Sequence, residues 1–160
     1  MAKISIIMGS QSDLETVQEA INILKEFKAS FAVKVLSAHR TPKELAEYIE
    51  RAPKRQTKVF IAAAGGAAAL AGVVASLTTL PVIGIPIETK SLKGLDSLLS
   101  TAQMPAGIPV ACMAIGKAGA RNAALLALEI LGLSEPKIQA RLVAHKKQMR
   151  RKIKNIKLKV

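Results

Sequence analysis

His39 and Arg40 stand side by side, directly after the apolar run FAVKVL (31–36). An imidazole can transfer protons near neutral pH, and a guanidinium can bind a phosphate through two parallel hydrogen bonds. The threonine and proline that follow are typical of the start of a helix, but they do not explain the two residues before them. Two interpretations of SAHRTP (37–42) therefore remain open: a turn that only begins a helix, or a catalytic loop at the end of a buried strand.

A second polar cluster, GSQSD (9–13), precedes an amphipathic pattern. Gly9 permits a tight turn, Ser10 and Ser12 can cap the following helix, and the N–H groups at a helix start can hold a phosphate. Asp13 suits the helix dipole and could also bind ribose hydroxyls, but the loop by itself favours capping. The glycine pattern matches neither a P-loop nor a dinucleotide fingerprint.

Two more loops contain candidate ligand contacts. The stretch AAAGGAAAL (62–70) offers backbone N–H donors and close approach of a ligand to the chain, although Ala/Gly runs are more often close packing. In GKAGARN (116–122), Lys117 could contact an anion, whereas Arg121 is expected on a helix surface. His145 lies in a basic helical pattern near the C-terminus, and we expect it at the surface.

Short apolar runs alternate with helical patterns along the chain, which predicts a parallel, doubly wound α/β sheet. The predicted strands are 3–8, 31–36, 58–63, 81–86 and 110–115. The predicted helices are 12–28, 42–51, 68–79, 95–102 and 118–131. Because ligands bind beyond the carboxyl ends of the strands in such sheets, the polar loops are expected to form one site for a small polar anion. These loops include IETKSLKG (87–94), which follows the fourth predicted strand.

The net charge of +13 is unevenly distributed, since residues 136–160 contain ten Lys/Arg and no acid. Basic tails can bind nucleic acid, but apolar residues recur here at helical spacing, which favours a helix packed on one face. No aromatic residue lies among the lysines, so nucleic acid is not an expected partner. We expect one domain over 1–160, with an α/β core (1–133) and a basic helix and tail (134–160) that frays from about Asn155.

Other features exclude several classes of protein. Cys112 is the only cysteine, and no Cys/His cluster predicts a metal site. The uncharged stretch 59–87 is long enough to span a bilayer of about 30 Å, but Gly65, Gly66 and Pro81 interrupt it, so we interpret it as buried strand, helix and strand. The N-terminus MAKISIIMGS lacks a signal-peptide pattern. We therefore expect a cytoplasmic protein without membrane contact.

Together and in this order, the loops resemble the N5-carboxyaminoimidazole ribonucleotide mutase family, also called the catalytic subunit of phosphoribosylaminoimidazole carboxylase, in its bacterial type. The combination is specific, although each stretch alone is a weak signal. The matching stretches are MGSQSD (8–13), SAHRTP (37–42), AAAGGAAAL (62–70), PVIGIPI (81–87) and GLDSLLSTAQMPAGIPVACMAIGKAGARNAALLA (94–127).

The resemblance implies a three-layer α/β/α sandwich with a parallel flavodoxin-like sheet, assembled as a homo-octamer. It implies an isomerase of purine biosynthesis that moves a carboxylate from N5 to C4 of an aminoimidazole ribonucleotide bearing a 5′-phosphate. It implies no metal and no organic cofactor, with His39 as the catalytic acid and base. The implied substrate-binding residues are Ser10, Asp13, Ser37, Ala38, Arg40, Gly65, Gly66, Ala69 and Leu70.

One position departs from the family pattern. Where the family usually has a histidine, in a pattern like GGAAHLPG, this chain reads GGAAALAG (65–72) with Ala69 at that place. Alanine can neither donate a hydrogen bond nor carry a proton, so reduced turnover is expected while binding by backbone N–H groups survives. Two alternatives follow: a carboxylase that uses free carbon dioxide and aminoimidazole ribonucleotide, or a catalytically weakened nucleotide- or RNA-binding module.

Overall fold

The computed structural model describes residues 2–157. Its strands are β1 (Ile4–Met8), β2 (Phe31–Val35), β3 (Val59–Ala64), β4 (Val82–Pro86) and β5 (Ala111–Cys112). Its helices are α1 (Leu14–Glu26), α2 (Pro42–Glu50), α3 (Leu70–Ser76), α4 (Leu95–Ala102), α5 (Gly116–Gly132) and α6 (Pro136–Lys154). Short 3-10 turns at Gln11–Asp13 and Pro53–Arg55 complete the element order.

The strands form one parallel sheet in the order β2-β1-β3-β4-β5, which is the flavodoxin-like arrangement. Alternate residues of β1 face opposite layers of helices. Ile4 and Ile6 pack in a cluster with residues of α1 and α5, whereas Ile7 packs in a cluster with residues of α2 and α3. The predicted α/β/α sandwich is therefore confirmed, and burial on both faces explains why the strands are continuous apolar runs.

Two elements are much shorter than the sequence predicts. β5 has only two residues, against the predicted 110–115, and it pairs with β4 alone at the sheet edge. α3 covers Leu70–Ser76 rather than 68–79. Its start is delayed because Ala68 has a φ of +34°, which is incompatible with a right-handed helix.

Helix α4 packs very close to strand β4. A Cβ atom on Gly84 would lie 2.3 Å from Cγ2 of Thr101, so glycine is required for this approach. Thr101 is itself buried, and its hydroxyl donates to the carbonyl of Ser97 at 2.8 Å. This contact holds the last turn of α4 against the middle of β4.

Helix α6 packs against α5 through its first turns only. Ile138 and Leu142 are buried, whereas every residue from Lys146 to Lys157 is exposed. The prediction that His145 is a surface residue is wrong, because its side chain is only 16% exposed and its ring centroid lies 5.4 Å from that of Phe27. α6 ends at Lys154, as predicted, and the last three residues of the chain lie outside the described range.

Within residues 2–157, no helix has both the length and the apolar character needed to cross a bilayer.

Candidate active site

A cavity of about 580 Å³ lies at the carboxyl edge of the sheet, where the loops after β1, β2, β3 and β4 meet. The sheet order reverses here, because β2 lies on one side of β1 and β3 on the other. This is the position at which doubly wound sheets bind ligands. The cavity is lined by Gly9, Ser10, Ser12, Asp13, Ser37, Ala38, His39, Arg40, Ala64, Gly65, Ala68, Ala69, Leu70, Ile87, Glu88 and Thr89.

The turn SAHRTP is closed by Thr41 rather than by a helix cap. The Thr41 hydroxyl accepts a hydrogen bond from the Ser37 N–H at 2.8 Å and donates to the Ser37 carbonyl at 3.1 Å. The side chain makes no cap bond to α2, which begins with Pro42 at its first position. His39 lies within this turn, exposed and beside the cavity, so its imidazole is accessible to a bound ligand.

Arg40 connects the loops after β1 and β2. Its Nη2 donates to the Gly9 carbonyl at 2.8 Å, and its Nε donates to Ser37 Oγ at 3.4 Å. These contacts hold the guanidinium at the cavity wall while the side chain remains exposed. A guanidinium positioned in this way is suited to bind an oxyanion.

The loop GSQSD forms a capping box. Ser10 Oγ accepts a hydrogen bond from the Ser12 N–H at 3.3 Å, and Asp13 Oδ2 accepts one from the Ser10 N–H at 3.1 Å. Asp13 is only 7% exposed, and burial raises the pKa of its carboxyl above the ordinary value. The hydrogen bonds from Ser10 and Ser12 and the charge of Arg40 oppose this rise without cancelling it.

The raised pKa of Asp13 has a consequence for stability. The folded protein holds the Asp13 proton more tightly than the unfolded chain, so stability falls as pH rises from the ordinary aspartate pKa to the raised one. Asp13→Asn removes the buried charge and keeps an oxygen that can accept from Ser10. We expect its melting temperature to exceed that of the wild type at neutral pH, by a margin that shrinks in acid. Thermal unfolding of both proteins at several pH values measures this difference in melting temperature. A difference that is smaller at pH 7 than at pH 4 would contradict the prediction.

The glycine-rich loop between β3 and α3 contributes Gly65, Ala69 and Leu70 to the cavity wall, but not Gly66. Gly66 has a φ of +67°, which favours glycine, and its N–H donates to Ser97 Oγ at 3.0 Å. The Ser97 hydroxyl in turn donates to the Ile87 carbonyl at 2.8 Å. Ser97 is fully buried, so this one side chain ties together the loops after β3 and β4.

The cavity is also lined by residues that were not predicted as site residues. Among them, Glu88 and Thr89 have polar side chains. Both lie in the loop 87–94 after β4, which was expected at this edge, but neither residue was singled out from the sequence. Thr89 is oriented by Asp96, because its hydroxyl donates to the Asp96 carboxylate at 2.8 Å. Glu88 adds a second carboxylate to the cavity wall besides that of Asp13.

The arrangement combines an accessible imidazole, a fixed guanidinium and a poorly exposed carboxylate around one cavity. It can bind an anion and move a proton over a short distance. Within residues 2–157, no group of three or more His, Cys, Asp or Glu side chains is placed to hold a metal ion.

Known proteins resemble this chain over nearly its whole length. A family model described as AIR carboxylase matches residues 3–152. The N5-carboxyaminoimidazole ribonucleotide mutase of Pyrococcus abyssi is 54% identical over 94% of this chain and 86% of its own length. The protein of the same name from Saccharolobus solfataricus is 51% identical over 99% of each chain. A crystal structure of Treponema denticola PurE matches with a TM-score of 0.86 and 29% identity, over 94% of this chain and 92% of that one. The chain therefore belongs to the AIR carboxylase family.

Proposed function

We propose that this protein is an N5-carboxyaminoimidazole ribonucleotide mutase, an isomerase of purine biosynthesis that produces 4-carboxyaminoimidazole ribonucleotide. The observation that carries the proposal is identity of 51–55% with three proteins of that name, over at least 94% of this chain. The location of His39 and Arg40 at one cavity supports it, because the reaction needs an anion-binding group and a proton carrier.

The residues around the cavity divide into binding and catalytic groups. Arg40, with the hydroxyls of Ser10 and Ser37, would bind the 5′-phosphate, and Asp13 would accept hydrogen bonds from the ribose hydroxyls. Ala38 and the segment from Gly65 to Leu70 would form the wall against which the ring lies. Gly66 would act indirectly, since its N–H is bonded to Ser97.

His39 would serve as the acid and base of the reaction. The bond between the exocyclic N5 and the carboxylate carbon breaks, its electron pair stays on nitrogen, and carbon dioxide is released in the pocket. His39 protonates that nitrogen. C4 of the ring then attacks the carbon dioxide, a carbon–carbon bond forms, and the C4 proton returns to the histidine. Protons and electrons balance within this cycle, so no metal or organic cofactor is needed.

A homo-oligomer, taken as an octamer from the family resemblance, would complete the site. In the single chain both His39 and Arg40 are exposed, so this cavity alone does not hold carbon dioxide. Leu95 and Leu99 of α4 are 50% and 48% exposed. A second protomer covering this apolar surface would also restrict solvent access to the site. The protein would work in the cytoplasm.

A carboxylase that uses free carbon dioxide is the second candidate, and the openness of the cavity favours it. Labelled bicarbonate separates the two activities, because a mutase keeps the carbon of its substrate. We expect product formed from unlabelled N5-carboxyaminoimidazole ribonucleotide to contain little label from solution. Product from aminoimidazole ribonucleotide and labelled bicarbonate, formed faster than from the carbamate substrate, would reverse the assignment.

A further inference from the structure

A second cavity, of about 630 Å³, adjoins the proposed active site. The two cavities share four lining residues, which are Ser12, Ile87, Glu88 and Thr89. The lining of the second cavity contains three lysines, Lys90, Lys93 and Lys117, against two carboxylates, Glu15 and Glu88.

Two of these lysines carry uncompensated positive charge. Lys117 forms an ion pair with Glu15 at 2.8 Å, and this contact raises the pKa of Lys117 and lowers that of Glu15. Lys90 and Lys93 are exposed, and neither forms an ion pair within the part of the chain that the structure describes. The cavity therefore presents positive charge to a solute that enters it.

The backbone that carries these lysines is held in place. The Thr89 hydroxyl donates to Asp96, and the Gly94 N–H donates to Thr89 Oγ1 at 3.2 Å. The segment between Thr89 and Gly94 is thus closed at both ends by one side chain. Lys90 and Lys93 extend from this closed loop, at a fixed distance from the active site.

The lysines lie beside a cavity whose proposed substrate is negatively charged. The ribonucleotide carries a phosphate and a carboxylate, whereas the first cavity has two carboxylates, Asp13 and Glu88, against the guanidinium of Arg40 and a histidine. Arg40 can bind the anion at close range, but the lining of that cavity has no excess of positive charge to attract it from a distance. The adjoining lysines supply the missing positive charge, and a cleft lined by one sign of charge raises the local concentration of its counter-ion.

We propose that Lys90 and Lys93 form an anion-capture site, which draws phosphate- and carboxylate-bearing ribonucleotides toward His39 and Arg40. This inference rests on the proposed function for the identity of the anion, but not for the existence of the site. A capture site raises the rate at which substrate and enzyme associate and leaves the chemical step unchanged. Its loss therefore affects kcat/KM more than kcat.

The double variant Lys90→Gln/Lys93→Gln tests the capture site in turnover. We expect kcat/KM to fall about fivefold at low ionic strength, kcat to change little, and the dependence of kcat/KM on salt to become weaker. The matched control is Lys28→Gln/Lys58→Gln, which removes the same charge from exposed residues before β2 and β3, at the opposite edge of the sheet. Equal kcat/KM and equal salt dependence in the two double variants would overturn the proposal.

Chemical labelling of lysines tests whether Lys90 and Lys93 bind an anion, without any measurement of turnover. The wild-type protein is acetylated with acetic anhydride, with and without inorganic phosphate at constant ionic strength, and the extent of reaction at each lysine is read by mass spectrometry. We expect phosphate to protect Lys90 and Lys93 but not Lys28 and Lys58. Equal labelling with and without phosphate would refute the capture site, even if the enzyme converts its substrate. Protection in a protein that has no mutase activity would instead leave the site standing and reject the proposed function.

Discussion

Replacing His39 by asparagine is expected to lower kcat by about 10²–10⁴-fold, the usual contribution of a general acid–base group, while the dissociation constant for the ribonucleotide changes little. Asparagine occupies similar space and can form hydrogen bonds, but it cannot carry a proton between N5 and C4. The exposed position of His39 in its turn means that the fold does not depend on the ring. The melting temperature of the variant should therefore equal that of the wild type.

Single-turnover kinetics and a ligand titration measure the two effects separately. Glutamine at the same position is a useful second variant, because it differs from asparagine in length but likewise carries no proton, so it should be equally slow. A His39→Asn enzyme that retains more than a tenth of the wild-type kcat would remove this residue from the chemical step. The site would then need another proton carrier, and the exposed carboxylate of Glu88 is the next candidate at the cavity.

Arg40→Ala is expected to act mainly on binding. Loss of charge-assisted hydrogen bonds to the phosphate costs about 1.5–3 kcal/mol, which raises the dissociation constant about 10- to 100-fold. The variant also loses the bond from the guanidinium to the Gly9 carbonyl, which joins two loops of the site. Burial raises the pKa of Asp13 and Arg40 opposes that rise, so the pKa of Asp13 should increase further in the variant.

Arg40→Lys is the matched control, since it keeps the positive charge but cannot form two parallel hydrogen bonds. We expect its affinity to lie between those of the wild type and Arg40→Ala. Calorimetric titration with a phosphate-bearing substrate analogue gives the three values. If Arg40→Ala and His39→Asn lower affinity equally, the division between a binding residue and a catalytic residue is wrong.

Much of the site follows from one rule of sheet architecture. The loops after parallel strands meet at the carboxyl edge, so GSQSD, SAHRTP and the glycine-rich loop were expected to converge, and they line one cavity. Local patterns were sufficient for this, because the strands are continuous apolar runs that end at these loops. The loop after β4, residues 87–94, was expected at the same edge, and its Glu88 and Thr89 line the cavity although no pattern singled them out.

Contacts between distant parts of the chain were not predictable in the same way. Ser97 bonds Gly66, 31 residues earlier, and nothing in the sequence of α4 distinguishes it from the exposed Ser100. The bond from Arg40 to Gly9 likewise depends on the tertiary arrangement of two loops. His145 is different, because it follows Ile138 and Leu142 at helical spacing, and that spacing already indicated a place on the packed face of α6.

The most direct test of the account follows conversion of N5-carboxyaminoimidazole ribonucleotide by this chain and by its Ala69→His variant. Ala69 lines the cavity just before α3, so a histidine there would face the bound substrate. Product absorbance is recorded at high protein concentration, with His39→Asn as the background. The account predicts product from the wild-type chain above that background, and faster formation by Ala69→His. Absence of product from both proteins, when both are folded, would contradict it.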